Sequence, residues 1–292
     1  MKDYLIRAID KDGKFRFHIV DSTEMVEESR RLHNSSTTAT AAMGRLVTMA
    51  TILGIDLDEE DSITLNIKGD GPGGFLVAVS DKAGTARVSA QNPELDIPSR
   101  EDGHLDVAGW VGNSGTLSVV RGFHLKEPFM GITQLVSGEI AEDFASYFFH
   151  SEQTPTVVSL GVYVETDHSV SAAGGLFIQA LPGVEDADLI ALENAIANLD
   201  TMTNMLRDGL KPEDILDKYF SDFEPRILDK VDVEYECNCS REKMEKALAS
   251  IPDKDLEEMA EEDGGAEVVC EFCNEKYHFS ADELLSLRET SA

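Results

Sequence analysis

The sequence predicts an α+β protein, with a large N-terminal α+β domain, a short helical linker and a small C-terminal domain held by its cysteines. Three observations predict it. Alternating apolar stretches are mixed with a few helical ones in no regular βαβ order. The composition changes after Leu181-Pro182-Gly183. Cysteine is absent from the first 236 residues and then occurs four times within 37. The expected divisions are 1–183, 184–232 and 233–292.

Residues 4–9 and 15–20 alternate apolar and polar, and Lys11-Asp12-Gly13-Lys14 joins them as a hairpin turn. Asp21, Ser22 or Thr23 suits the cap of a following helix, whose first turns carry Glu24, Glu27 and Glu28. A second helix is expected over 38–53, stopped by Gly54. The stretch from Thr37 to Leu57 contains Arg45 and five threonines, so it reads as a closely packed helix and not a membrane span. Strands follow at 63–67, 75–79, 86–90 and 117–120, punctuated by Gly-rich and Asn-Pro turns. A helix is expected over Ala141–His150, then strands at 157–164 and 169–179.

Beyond Gly183, Leu189, Leu192, Ile196 and Leu199 share one helical face. Met202, Met205 and Leu206 make a second short helix ended by Gly209 and Pro212, and Ile215, Leu216, Tyr219 and Phe220 a third. Helices this short depend on packing against something else, so 184–232 is expected to borrow its order. From Val231 onward, 18 acidic residues face 6 basic ones, a net charge of -12. Met244, Ala247, Leu248 and Ile251 give one amphipathic helix, and Ser280 with Glu283 caps another carrying Leu284, Leu285 and Leu287. So short and acidic a segment has little core and needs a staple.

The formal net charge of the whole chain is -31. Nucleic acid and anionic membrane surfaces would be repelled, and no basic run offsets this. The start of the chain, MKDYLIRAIDKDG, has no apolar signal segment, so the expected location is the cytoplasm, where thiols are kept reduced.

The cysteines form two close pairs, Cys237-x-Cys239 and Cys270-x-x-Cys273, separated by 30 residues. Four sulfurs are what a closed tetrahedral zinc site requires, and binding would supply folding free energy that burial cannot. We therefore expect one zinc on Cys237, Cys239, Cys270 and Cys273. His278 could compete as a ligand, but with four cysteines available a packed or exposed role fits better. A thioredoxin-like C-x-x-C is the rival reading, but no βαβ unit surrounds it and the other pair would go unexplained. Neighbouring thiolates can also convert to Cys237–Cys239 and Cys270–Cys273 disulfides, expelling the metal. Residue chemistry alone leaves a purely structural zinc module and a redox switch both open.

Other signals are set aside. Gly69-x-Gly71-x-x-Gly74 matches a dinucleotide fingerprint, but Pro72 lies inside it and a strand follows, so a glycine-rich β-turn is expected. Ser240-x-x-Lys243 imitates a nucleophile motif, but a helix cap explains it. Met43 and Met49 are read as core. No hydrolase, Walker or metalloprotease motif is present, and no enzyme is expected.

The chain resembles the heat-shock protein 33 family of redox-regulated bacterial chaperones. The resemblance rests first on Cys237-Asn-Cys239-Ser240-Arg-Glu-Lys-Met-Glu-Lys-Ala-Leu248, on Glu261-Glu-Asp-Gly264 and on Ala266-Glu-Val-Val-Cys270-Glu-Phe-Cys273-Asn-Glu-Lys-Tyr277. The N-terminal part adds Ser137-Gly-Glu-Ile-Ala-Glu-Asp143, Ser151-Glu-Gln-Thr-Pro155 and Ala172-Ala-Gly-Gly-Leu-Phe-Ile-Gln-Ala-Leu-Pro-Gly183. The resemblance implies that the reduced, zinc-bound form is a poor chaperone. It implies that oxidation of neighbouring cysteine pairs releases zinc and unfolds the C-terminal domain and linker. The activated protein is then expected to dimerise and to hold unfolding client proteins under oxidative stress, without ATP.

Overall fold

A computed structural model of the chain describes residues 2–58, 61–122 and 128–287. It divides into two compact units, Met1–Glu236 and Cys237–Ala292. The first begins with the expected hairpin, β1 (Tyr4–Ile9) and β2 (Phe15–Asp21). Its turn is organised by the buried Asp10 carboxylate, which accepts from the amides of Asp12, Lys14 and Phe15. Gly13, at φ 71°, supplies the left-handed residue the turn needs.

Helix α1 (Thr23–His33) follows with Ser22 at the N-cap position, but the Ser22 side chain does not cap it. Asp21 Oδ1 takes the Thr23 amide at 3.2 Å, and a second acceptor comes from outside the local sequence: Asp3 Oδ2 takes the Met25 amide at 2.8 Å. Asp3 is 4% exposed, and burial pushes its carboxyl up to about 7 despite the Met25 and Glu24 amides, which pull it down. With the folded-state value above the ordinary carboxyl value of 3.8, the folded protein holds the extra proton between these pH values. The stabilising contribution is present below pH about 4 and is lost as pH rises through about 7. Asp3→Asn keeps an acceptor for Met25 without the charge. It is expected to raise stability by roughly 2 to 4 kcal/mol at pH 8 and to change it little at pH 4. Urea midpoints at the two pH values check this, and equal midpoints at pH 8 would refute it.

Helix α2 (Thr37–Gly54) is buried on all sides, including Met43 and Met49. Its Ala and Thr side chains let two sheets approach it, which explains an apolar composition without a polar face. One sheet runs β10-β1-β2-β9-β8, adding β8 (Thr156–Val164), β9 (Val170–Ala180) and β10 (Arg226–Asp232). The other runs β11-β5-β4-β3-β6-β7, from β3 (Ser62–Gly69), β4 (Phe75–Asp81), β5 (Thr85–Ala90), β6 (Gly115–Arg121), β7 (Phe129–Gln134) and β11 (Glu234–Tyr235). Helix α2 packs on β3, β4 and β5 of this sheet and on β8 and β9 of the other. Among the described residues, no helix is long and apolar enough to cross a membrane.

The glycines at 69, 71 and 74 build a turn against the short helix α3 (Val107–Val111). A Cβ on Gly69 would lie 1.9 Å from the Val111 carbonyl oxygen, while the amides of Gly71 and Gly73 donate to Val111 and Trp110. Close backbone approach explains Gly69 and Gly71, and Gly74 takes a left-handed φ of 77°. Preceding α4 (Ala141–His150), the segment Ser137–Asp143 is held by one carboxylate. Asp143, fully buried, accepts from Val136, Ser137 and Gly138 on Oδ1 and from Ile140 on Oδ2.

The five-stranded sheet buries both faces. Leu5 and Val20 point towards the α2 core, whereas Tyr4, Ile6, Phe15, Phe17 and Ile19 meet a second cluster. That cluster is completed by Leu192 of α5 (Asp186–Ile196), Met202 and Met205 of α6 (Met202–Arg207) and Ile215, Leu216 and Phe220 of α7 (Pro212–Phe220). Residues 184–232 are therefore not helical throughout. Arg226–Asp232 is a strand on β1, and the first unit continues to Glu236.

The second unit contains α8 (Arg241–Leu248), α9 (Asp253–Glu262), a hairpin of β12 (Gly265–Val269) and β13 (Lys276–Ser280), and α10 (Ala281–Leu287). Its buried apolar core comprises Leu248, Leu256, Ala260, Phe279 and Leu284. The expected Ser280–Glu283 capping box is present, with the Ser280 amide 2.8 Å from Glu283 Oε2.

Candidate metal centre

The two cysteine pairs are presented by different local structures. Cys237 and Cys239 precede α8, whose N-cap Ser240 accepts from the Lys243 amide as its sequence position suggested. Lys243 also donates to the Asn238 carbonyl oxygen at 2.6 Å, fixing the residue between the two sulfurs. Cys270 and Cys273 lie in the turn of the β12–β13 hairpin. The Cys270 amide donates to the Glu275 carbonyl oxygen at 2.9 Å, and the Asn274 amide to that of Cys270 at 2.8 Å. Asn274 sits at φ 59°, a left-handed conformation that asparagine tolerates.

The fold brings all four sulfurs within 4.8 Å of one another. Cys237 and Cys270 Sγ are 3.6 Å apart, and Cys239 and Cys273 Sγ 3.4 Å. A tetrahedron of metal–sulfur bonds about 2.3 Å long has edges of about 3.8 Å, so the donor set fits a closed four-coordinate ion. Among the described residues, these cysteines form the group positioned to hold a metal. His278 lies elsewhere: it is on β13, exposed, with Nε2 3.5 Å from Glu267 Oε2.

Four thiols this close share charge unevenly. Burial pushes Cys237 up to about 11, reinforced by its neighbour Cys270. Burial likewise raises Cys273, with Cys239 adding to the shift. Cys239 goes the other way: burial opposes its thiolate, but hydrogen bonds from Tyr277 and Cys273 outweigh it and lower its pKa. The Tyr277 hydroxyl donates to Cys239 Sγ at 3.2 Å, and this bond raises the tyrosine's own pKa. A divalent cation at the centre would offset the burial that raises Cys237 and Cys273.

Sequence reasoning missed two supporting residues. Tyr277 is one; its position four residues past Cys273 gave no period to read. Arg241 is the other. It lies 4.3 Å over the Phe279 ring, donates to the His278 carbonyl oxygen at 2.9 Å and pairs with Glu283 at 2.6 Å. It thereby ties the helix that follows Cys239 to β13 and α10.

A family model described as Hsp33 protein matches residues 3–280. The chain belongs to the Hsp33 family. Two Hsp33 relatives, both named 33 kDa chaperonin, agree along their whole length. That of Oceanobacillus iheyensis is 42% identical over 99% of this chain and 100% of its own, and that of Clostridioides difficile 43% over 98% and 99%. The crystal structure of the Hsp33 homologue from Thermotoga maritima, also named 33 kDa chaperonin, superposes with a TM-score of 0.89. It is 38% identical and covers 99% of both chains. The α+β fold expected from sequence is thus the Hsp33 fold.

Proposed function

We propose that this Hsp33-family chain is a cytoplasmic chaperone that holds unfolding proteins and is switched on by oxidation. The observation that carries the reading is the convergence of four thiols in a unit of small apolar core. The ion it assigns is zinc, because four thiolates in tetrahedral reach suit that metal. Zinc, when bound, holds the Cys237–Cys239 segment to the β12–β13 hairpin. The cysteines are both its ligands and the oxidisable groups.

Peroxide oxidises one thiolate of a pair to a sulfenate, and the neighbouring thiolate displaces hydroxide to form the disulfide. Each disulfide, Cys237–Cys239 or Cys270–Cys273, costs one peroxide, which accepts two electrons and leaves as water. Disulfide sulfur is no longer a thiolate donor, so the ion departs. Residues 237–287 then lose their staple, and like charges favour expansion. The separable parts we assign are the core 1–183, the segment 184–232 that covers it and the switch 233–292. The activated form is expected to be a homodimer without affinity for nucleic acid or membranes.

The test is metal content before and after peroxide, alongside suppression of aggregation of a denatured protein. About one zinc per chain should be present in the reduced form and lost on oxidation as aggregation suppression appears. Dithiothreitol with zinc should reverse both. An oxidised, zinc-free protein that suppresses nothing would leave only a structural zinc module.

A further inference from the structure

Residues 226–236 run along two sheet edges. β10 lies antiparallel on β1 and β11 parallel on β5, each as the end strand of its sheet. Their hold is unlike that of the interior strands. Of the seven β10 side chains, six are exposed and Val231 is half-buried, with Ile227 and Leu228 at 42% and 46% exposure. What fastens β10 is main-chain pairing, interrupted by a register shift between Arg7 and Ala8, together with Val231 packed on the core, Lys230 Nζ 3.6 Å over the Tyr4 ring, and surface ion pairs. Those pairs are Lys2–Asp232, Arg7–Asp229 and Lys230–Glu213, at 2.9, 3.0 and 2.9 Å. Their side chains are between 31% and 64% exposed, and pairs this open to solvent contribute little. β11 spans only two residues, anchored by the buried Val233 and by Tyr235, whose hydroxyl donates to the Val88 carbonyl oxygen at 3.1 Å. Beneath them, β1 and β5 are core strands, with Leu5, Ile6, Ala86 and Val88 at 1% exposure or less. The next residue after Glu236 is Cys237.

We infer that 226–236 is a removable edge cover, and that its departure opens the β1 and β5 edges to an extended segment of an unfolding polypeptide, bound by strand addition. This rests on the chaperone reading above and gives it a binding mode. The occupant follows from what the β1 edge now accepts. It holds an extended chain of which only Val231 is even half-buried, so main-chain groups do most of the recognising and sequence matters little. An unfolded client offers such a backbone whatever its sequence. Contiguity supplies the trigger, since unfolding that begins at Cys237 reaches β11 within two residues. The opposite edge, β7, already presents Phe129, Met130 and Ile132 at more than half exposure. It is available before activation and cannot make binding depend on oxidation.

The test is residue-resolved amide exchange on the full chain, with reduced, carboxymethylated α-lactalbumin as a permanently unfolded probe. Oxidation alone should speed exchange in 4–9 and 85–90 by about tenfold or more, and the probe should restore protection there. Exchange in β7 should stay unchanged. Protection of 226–236 that survives oxidation overturns the proposal, as does bound probe with both edges still fast. Protection that returns on concentrating the oxidised protein without probe, with β10 protected too, also overturns it, because a second copy then fills the edge. A protein that suppresses no aggregation overturns the chaperone reading and this proposal with it. One that suppresses aggregation with unprotected edges overturns strand addition alone. A double variant tests the same inference without oxidant. Lys230→Pro with Val231→Pro removes a strand amide whichever of the two faces β1. Reduced and zinc-loaded, it should bind the probe; a frayed β10 without probe binding refutes the inference.

Discussion

Cys239→Ser is expected to empty the metal centre and unfold residues 237–287 while leaving the core 1–183 folded. Structural zinc supplies on the order of 10–16 kcal/mol in small thiolate sites, comparable with the whole stability of an ordinary domain. Among the described residues, the apolar core of the unit it serves is Leu248, Leu256, Ala260, Phe279 and Leu284, two of them on the segments that the cysteines join. A serine hydroxyl stays protonated at neutral pH and offers no thiolate. The loss also strands the Tyr277 hydroxyl, which now donates to Cys239. Zinc content should fall to near zero, and the amide signals of α8, α9 and the β12–β13 hairpin should collapse to random-coil shifts. His278→Ala is the matched control: His278 is exposed and paired with Glu267, so zinc should stay bound. A Cys239→Ser protein that retains one tightly held zinc would remove the basis for the four-cysteine centre. The same variant separates metal loss from oxidation. If order depends on the ion, it should hold clients without any peroxide.

Much of this site was legible because chemistry writes itself into spacing. Two close cysteine pairs state a tetrahedral donor set before any fold is known, and the folded chain places the four sulfurs within reach of one ion. The hairpin of β1 and β2 was legible for a similar reason, since Asp-Gly at its turn and period-two alternation agree. What escaped the sequence has no side-chain period. β10 reads Arg-Ile-Leu-Asp-Lys-Val-Asp, and almost none of it is buried, so nothing in its pattern separates a strand from a linker. β7 is similar, with Gly131 its one fully buried residue. Both are edge strands made by main-chain pairing; for β10 the partner is β1, far away in sequence, and that information is non-local, whereas β7 pairs with the preceding β6 and simply lacks a buried face. α3 was missed because five residues cannot display a helical period. Of the caps offered by Asp21, Ser22 and Thr23, Asp21 takes the Thr23 amide, while the Met25 amide is served by Asp3, twenty-two residues away, which no local pattern announces.

Asp143 is expected to be worth more to the first unit than any single apolar side chain on its surface. Its carboxylate is fully buried and collects four main-chain amides: Val136 at 2.7 Å, Ser137 at 3.0 Å and Gly138 at 3.4 Å on one oxygen, and Ile140 at 3.0 Å on the other. Those bonds hold Ile140 at φ 65°, a left-handed conformation that a β-branched residue adopts only when its surroundings force it. They also place Glu139 between Arg45 and Arg100, each 2.7 Å from its carboxylate. Asp143→Ala removes every acceptor at once. The Gly138 and Ile140 amides are then buried without partners, at about 1–3 kcal/mol each, and the strain at Ile140 loses its restraint. The expected destabilisation is about 4 kcal/mol, read as a lower denaturant midpoint for the first unit at pH 7. Asp143→Asn distinguishes the charge from the geometry. Its one oxygen can serve the Val136–Gly138 amides, but its amide group must then face the Ile140 N–H, donor against donor. Asparagine should therefore cost about 2 kcal/mol, between wild type and alanine. If asparagine is as stable as wild type, the second oxygen contributes nothing and the carboxylate's role reduces to a one-sided cap.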